Sequence, residues 1–259
     1  MTPADRTTPT SPIELHGTAE HLSGPRVDIG DESLAHLGSI CETIVDAGSA
    51  AEASRDWWPL ALHWSLAGQV PRRAAAVVRP TTTDQVAAVL RHCDEHRVPV
   101  TAAGGRSGVC GASVPVFGGV LLDLTGFAGI RTVDVASGLV EVAAGTFGPD
   151  MERELRDHGL TVGHLPQSFD LATVGGWVAC RGAGQYSTRY GKIEHMVAGL
   201  EVVLANGRVV QTGNAPAGAT GPDLDQVFIG SEGTLGVVTR VWLRAHPLPP
   251  AERRSAHRF

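Results

Sequence analysis

Cysteine is scarce: the 259 residues carry four, Cys41, Cys93, Cys110 and Cys180, and no C-x-x-C pair. This speaks against a disulfide scaffold and a thiolate metal site, and reduced thiols in a cytoplasmic protein are expected. H-E-x-x-H is absent as well, and no metal site is expected. Aromatic residues are only 5% of the chain, so aliphatic side chains must build the core. No apolar run approaches the length that spans a bilayer. The first thirty residues, rich in Thr and Pro, lack the basic start and apolar centre of a secretory leader and read as a flexible tail. Positive charge is not in excess, and the formal net charge of -6 argues against non-specific nucleic-acid binding. Neither G-x-G-x-x-G nor G-x-x-x-x-G-K-[ST] occurs, so two familiar phosphate loops are missing.

Glycine, by contrast, is plentiful, with 32 residues, many of them in three runs. GSEGTLG, residues 230–236, leads into the apolar alternation of Val237 to Leu243 and brings Glu232 to the mouth of a strand. Its glycines serve either a turn alone or the close approach of a polar, flat ligand. TAAGGRSGVCG, residues 101–111, lies between two apolar segments. Successive amides around Gly104, Gly105, Arg106, Ser107 and Gly108 suit an anion-binding nest, with a structural crossover as the plain alternative. The third run, PQSFDLATVGGWVACRGAGQYSTRYG, residues 166–191, is rich in small residues. It allows tight helix packing or the close passage of backbone over a ligand.

Taken together, these runs resemble the FAD-binding domain of the vanillyl-alcohol oxidase type of flavoprotein, the PCMH-type fold, over roughly residues 72–247. The likeness is strongest to alkyldihydroxyacetonephosphate synthase and bacterial FAD-linked oxidases, and the pairing of TVGGWV with GSEGTLGVVT carries it. The resemblance implies non-covalent FAD, because no histidine stands in the glycine loop. It also implies that the loop Ala102, Ala103, Gly104, Gly105, Arg106, Ser107, Gly108 wraps the pyrophosphate. Here the family's triple glycine reads Ala103-Gly104-Gly105 and its threonine is Arg106, which faces either a phosphate oxygen or solvent. Pro166, Gln167, Ser168 and Thr173 would border the flavin and ribityl chain, with Gln167 in place of an aspartate. Val174, Gly175 and Gly176 would bring amides near the pyrophosphate, and Ala179, Cys180, Arg181 and Gly182 would follow as flavin contacts. Glu232 and Gly233 would serve the adenosine side. Backbone at Gly236, Val237 and Val238 would face the adenine or the isoalloxazine edge. A bulky side chain at Gly105 is expected to abolish FAD retention while leaving the apo-fold partly intact.

The implied fold class is α+β, two α/β subdomains enclosing the cofactor, and the local patterns agree. Residues 74–78, 98–103 and 119–124 read as strands, with a helix after Thr83 carrying Val86, Val89, Leu90 and Cys93 on one face. Val133 to Val142 and Val202 to Val210 read as hairpins, the second across Asn206-Gly207. Pro149 and Gly159 bracket a further helix. From Asp31 to Val45, Leu34, Leu37, Ile40, Ile44 and Val45 trace one helical face. The expected organisation is a tail over 1–30, a helical segment over 31–71, the FAD-binding domain over 72–247 and a polar tail over 248–259. Trp57, Trp58 and Trp64 are expected in core or interface packing, with Pro59 in a first helical turn. His164 is expected as a structural or flavin-neighbouring group. Arg189-Tyr190-Gly191 either positions a loop over the cofactor or ends a helix.

Family members continue into a cap domain that supplies catalytic side chains, whereas this chain ends at Phe259. No catalytic residue is nominated. Either the chain is part of a longer enzyme, or a cap-supplying partner or a homodimer completes it. A small-molecule substrate is expected. The activity implied is an FAD-dependent oxidoreductase acting on a 2-hydroxy acid or similar alcohol. The alternatives are an alkylglycerone-phosphate synthase, which is a non-redox transferase, and a non-catalytic FAD-binding module.

Overall fold

The computed structural model describes residues 19–213, 221–253 and 255–258. In the first half, β1 (Ala19–Glu20), α1 (Asp31–Ile40), β2 (Glu42–Ile44), α2 (Ala47–Ala53), α3 (Pro59–Ser65) and β3 (Gln69–Val70) precede β4 (Ala76–Arg79), α4 (Thr83–Glu95), β5 (Val100–Ala103) and β6 (Val120–Asp123). The second half runs through β7 (Ile130–Asp134), β8 (Leu139–Ala143), α5 (Gly148–Asp157), β9 (Leu160–Thr161), α6 (Val174–Ala179), α7 (Ser187–Tyr190) and α8 (Ile193–Met196). It closes with β10 (Val197–Val203), β11 (Val209–Gly213), α9 (Asp225–Phe228), β12 (Val237–Arg244) and β13 (His246–Pro247).

Two sheets organise the molecule. The first has the order β2-β4-β6-β5, with β4, β6 and β5 parallel and β2 antiparallel at the edge. Parallel strands need a crossover, and α4 supplies the one from β4 to β5, which leaves room between them for β6. Thr82, rather than Thr83, caps α4, its hydroxyl accepting the Gln85 amide at 3.2 Å. Val86, Val89, Leu90 and Cys93 are buried against Val78, Val120 and Leu122 of the sheet. Each large aliphatic side chain so buried contributes roughly 1.5–3 kcal/mol.

The second sheet, β11-β10-β12-β8-β7, is antiparallel throughout. The Asn206-Gly207 turn joins β10 to β11, with Gly207 left-handed at φ 76°. Against this sheet pack Met151 and Leu155 of α5 and Val174, Trp177 and Val178 of α6. The two halves meet at Glu201 of β10, whose carboxylate accepts the hydroxyls of Thr83 at 2.7 Å and Thr239 at 2.8 Å. The fold is thus α+β, as the sequence implied.

The beginning of the chain departs from expectation. Residues 1–18 of the expected tail lie outside the described residues, but 19–30 belong to the fold. β1 pairs with β3, Glu20 forms ion pairs with Arg26 and Arg72, and Val27 bridges Gly118. The helical face from Asp31 to Val45 is also cut short. Cys41 turns extended at φ -156°, and Ile44 joins the first sheet on β2, where a β-branched side chain is well accommodated.

Candidate functional site

A cavity of about 730 Å3 opens between the loop that follows β5, the segment from Pro166 through α6, and the turn that precedes β12. That volume lies within the ~300–1,000 Å3 typical of small-molecule sites. Every residue expected at the site lines it except Val174 and Arg181. The three glycine runs, far apart in sequence, therefore meet in space.

The loop after β5 is left free to take a ligand. The amides of Gly105, Ser107 and Gly108 donate to no acceptor among the described residues, and Arg106 between them is left-handed at φ 51°. Backbone of this kind aims neighbouring N–H groups into one concavity. Gly105 itself is fixed by packing: a Cβ there would stand 1.8 Å from the Leu171 carbonyl oxygen. This corrects the reason expected for the effect of a bulky substitution, because the first clash is with the protein rather than with a ligand. A Cβ placed on Gly108 would have Asp56 Oδ2 as its nearest neighbour, at 4.0 Å, and one placed on Gly233 would meet Ala102 Cβ at 3.5 Å. Those two stretches of wall hold space that a ligand can occupy.

Of the two positions weighed for Arg106, the solvent-facing one is excluded, and the residue lines the cavity. Its side chain is 2% exposed, and its guanidinium stands 3.8 Å from Asp123, a fully buried carboxylate that also pairs with Arg79 at 3.1 Å. Burial lowers the Arg106 pKa from its ordinary value, and the charge of Asp123 opposes that shift.

The expectation for α6 is corrected in part. Thr173 caps it, but the Val174 and Gly175 amides already donate to Thr146 and Ala144 carbonyls at 2.9 and 2.8 Å. They are not open donors, and the Val174 side chain lies wholly in the core. Arg181 turns away from the cavity to bond Gln226 Oε1 at 3.2 Å and the Ile229 carbonyl at 3.0 Å. Together with the Gly230 and Glu232 amides, which donate to Val178 and Ala179, this pins the turn 230–236 onto the end of α6. Glu232, left-handed at φ 50°, thereby carries its carboxylate to the cavity, where it has no bond among the described residues. Among the described residues, three of the four non-glycine residues with positive φ, Arg106, Arg181 and Glu232, fall on or beside this site, where strained backbone tends to gather.

Cys110 and Cys180 are free, exposed and on the cavity wall. The protein crowded around Cys180 and the charge of Glu232 raise its thiol above the ordinary value. His164 is buried against Trp177, ring centroids 4.7 Å apart, and does not line the cavity. Burial depresses it to about 4, with Glu194 opposing. Tyr190 ends α7 at Gly191 and packs beside His246 at 5.0 Å, which decides the Arg189-Tyr190-Gly191 alternative in favour of a helix end.

Two features were not foreseen. Trp58 and Trp64 do pack together, at 5.2 Å edge to face, but Trp57 lines the cavity. His92 and His96, an H-x-x-x-H pair at the end of α4, stack in series with His36 of α1 at 4.2 and 4.4 Å. No group of three or more metal-ligating side chains is arranged to hold an ion among the described residues.

Comparison with known proteins accords with this geometry. A family described as an FAD binding domain matches residues 74–213. The chain belongs to that family. An uncharacterized FAD-linked oxidoreductase of Escherichia coli K12, YgcU, is 40% identical over 179 residues, covering 68% of this chain and 37% of the relative. Glycolate oxidase subunit GlcD of Bacillus subtilis is 36% identical over 179 residues, 69% of this chain and 38% of that protein. Alkyldihydroxyacetonephosphate synthase of Caenorhabditis elegans is 31% identical over 196 residues, 74% of this chain and 33% of that one. A solved alkyldihydroxyacetonephosphate synthase superposes with TM-score 0.81 at 25% identity, covering 90% of this chain and 43% of the other. p-Cresol methylhydroxylase, at TM-score 0.71 and 24% identity over 85% of this chain and 44% of that one, shares the fold. The chain is therefore a PCMH-type FAD-binding domain of the FAD-linked oxidoreductase family, spanning well under half the length of these relatives. Among the described residues no helix is long and apolar enough to cross a membrane.

Proposed function

We propose that this chain holds FAD non-covalently in the cavity, as the cofactor-binding part of an oxidoreductase that acts on a 2-hydroxy acid or similar alcohol. The observation that carries the reading is the set of amides at Gly105, Ser107 and Gly108, on a wall shared with the Glu232 carboxylate, none of them with a hydrogen-bond partner among the described residues. Donors at one place and an acceptor at another match a pyrophosphate and a ribose hydroxyl. When bound, FAD supplies hydride-accepting chemistry, and the protein's task is to hold and orient it.

In this reading the loop 104–108 takes the pyrophosphate and Glu232 takes adenosine-side hydroxyls. The backbone at Gly236, Val237 and Val238 faces a ring of the cofactor. Pro166, Gln167, Ser168 and Thr173 border the flavin, as do Ala179, Cys180 and Gly182. Arg106, on the wall and held beside Asp123, faces the pyrophosphate side, and Arg181 acts from behind the wall by anchoring the turn of Glu232. Cys110 and Cys180 remain thiols in a cytoplasmic setting. Groups that recognise and deprotonate the substrate come from a cap outside this cavity, supplied by further chain or a partner, and none of the described residues is assigned a catalytic role.

Similarity to glycolate oxidase subunit GlcD and to FAD-linked oxidoreductases favours a redox reaction. The extent of the superposition on alkyldihydroxyacetonephosphate synthase favours the second reading, alkyl-for-acyl exchange without net redox change. Anaerobic mixing of the FAD-loaded protein with D-lactate or glycolate, and separately with an acyl-glycerone phosphate plus a long-chain alcohol, separates the two. Bleaching of the flavin band supports the oxidoreductase, exchange without bleaching supports the synthase, and neither leaves a cofactor-binding module.

A further inference from the structure

The part of the wall formed by Trp57 comes from outside the region matched by the family, which begins at residue 74. Residues 54–58 make a short arm between α2 and α3, and it is fastened under the far half of the glycine loop. The Trp57 amide donates to the Gly108 carbonyl at 2.9 Å. The Asp56 carboxylate accepts the Trp58 amide at 3.0 Å, and the backbone amides of Ser113 and Gly111 lie close enough to favour its charge. The Trp58 indole covers Gly111, where a Cβ would stand 3.3 Å from Trp58 Cε3. At the root of the arm, the Ser54 hydroxyl accepts the Ala74 amide at 2.9 Å.

Asp56 is wholly buried, and its Oδ2 makes no hydrogen bond among the described residues. Burial pushes the carboxyl up, while the amides of Trp58, Ser113 and Gly111 oppose the shift. A buried carboxylate is costly unless donors meet it. Here the Trp58 amide of the arm is the hydrogen-bond donor, and the nearby amides of Gly111 and Ser113, in the loop that lines the cavity, favour the charge. Removing Asp56 takes its charge away from the backbone at Gly111 and Ser113 and frees the Trp58 amide, loosening the arm whose Trp57 amide holds Gly108 of the loop.

We propose that this arm is part of the cofactor site: Trp57 contacts the bound dinucleotide, and Asp56 is a positioning residue that holds Trp57 and the loop from Gly108 to Ser113 around it. The inference rests on the FAD reading above. An indole on the wall beside Ser107, Gly108 and Ser113 offers a flat apolar surface to a planar ring, and its amide ties that surface to the phosphate-facing backbone.

The test titrates wild type, Trp57→Phe, Trp57→Ala and Asp56→Asn with FAD, following tryptophan emission and the visible circular dichroism of the flavin, with the Tm of each apo-protein. FAD is expected to quench wild-type emission, and Trp57→Phe to lose part of that quenching while holding its Kd within about three-fold. Trp57→Ala should raise Kd roughly ten-fold, the scale of losing one ring stacked on an aromatic side chain. Asp56→Asn should raise Kd and alter the flavin dichroism, with incomplete quenching from the displaced Trp57. If wild type binds FAD and Trp57→Ala matches it in Kd and quenching, the contact is refuted. If Asp56→Asn lowers only Tm, leaving Kd, quenching and dichroism intact, its positioning role is refuted. Should Asp56→Asn fail to fold, the Trp57 variants still decide whether the arm belongs to the site. Failure of wild type to bind FAD overturns the FAD reading itself, and this inference with it.

Discussion

Glu232 and Gly105 show two ways in which a residue serves a site. Glu232 is exposed and has no bond among the described residues, so its carboxylate contributes little to the apo-fold. Glu232→Gln is therefore predicted to leave apo Tm unchanged and to raise the Kd for FAD about ten-fold or more, the scale of a hydrogen bond to a charged group. Isothermal titration measures this, and an unaltered Kd would remove Glu232 from the site. Gly105 is the reverse case, since the 1.8 Å approach of a Cβ to the Leu171 carbonyl makes glycine a packing requirement. Gly105→Val is predicted to destabilise the cofactor-free protein by at least the ~1–3 kcal/mol of an overpacked core. A urea melt of the apo-protein checks it, and wild-type stability with FAD binding lost would restore the simpler picture of a blocked ligand.

Among the elements, α4 is fixed at its start by Thr82 and along its length by the buried face from Val86 to Cys93. Thr82→Ala is predicted to cost about 1 kcal/mol in a denaturant melt, with FAD affinity unaffected because the cap lies away from the cavity wall. An effect on Kd larger than that on stability would contradict this placement. Helices and hairpins such as α4, α5, β7-β8 and β10-β11 were legible because period and punctuation coincide: apolar spacing within, Pro, Gly or Asn-Gly at the ends. The site was legible because its three glycine runs are continuous in sequence. What escaped depended on partners distant in sequence. Ile44 continues a helical pattern on paper but is captured by β4, and Trp57 reads as core until the loop of Gly108 is folded over it. Likewise the Gly175 amide looks available until Ala144 takes it, and nothing in the sequence announces that Asp123 stands beside Arg106.

At the scale of the molecule, two sheets joined through Glu201 enclose the cavity, and the interior carries one marked acid liability. His164 is 1% exposed and keeps its neutral form down to about 4, whereas its ordinary value is 6.5. Between those values the unfolded chain binds more protons than the folded one, so stability falls as pH drops through that window. At its lower end the loss from this one group is on the order of 3 kcal/mol. His164→Gln is predicted to lose less Tm than wild type between pH ~6.5 and ~4.5, and equal losses would show that His164 is not the sensing group.

The most direct measurement of the central claim is the visible absorption spectrum of the purified chain after incubation with FAD and gel filtration, followed by acid precipitation. A protein-associated flavin band near one FAD per chain, released wholly into the supernatant by acid, is the predicted result. A colourless protein that takes up no FAD would contradict the assignment of the cavity, and colour that precipitates with the protein would contradict non-covalent binding.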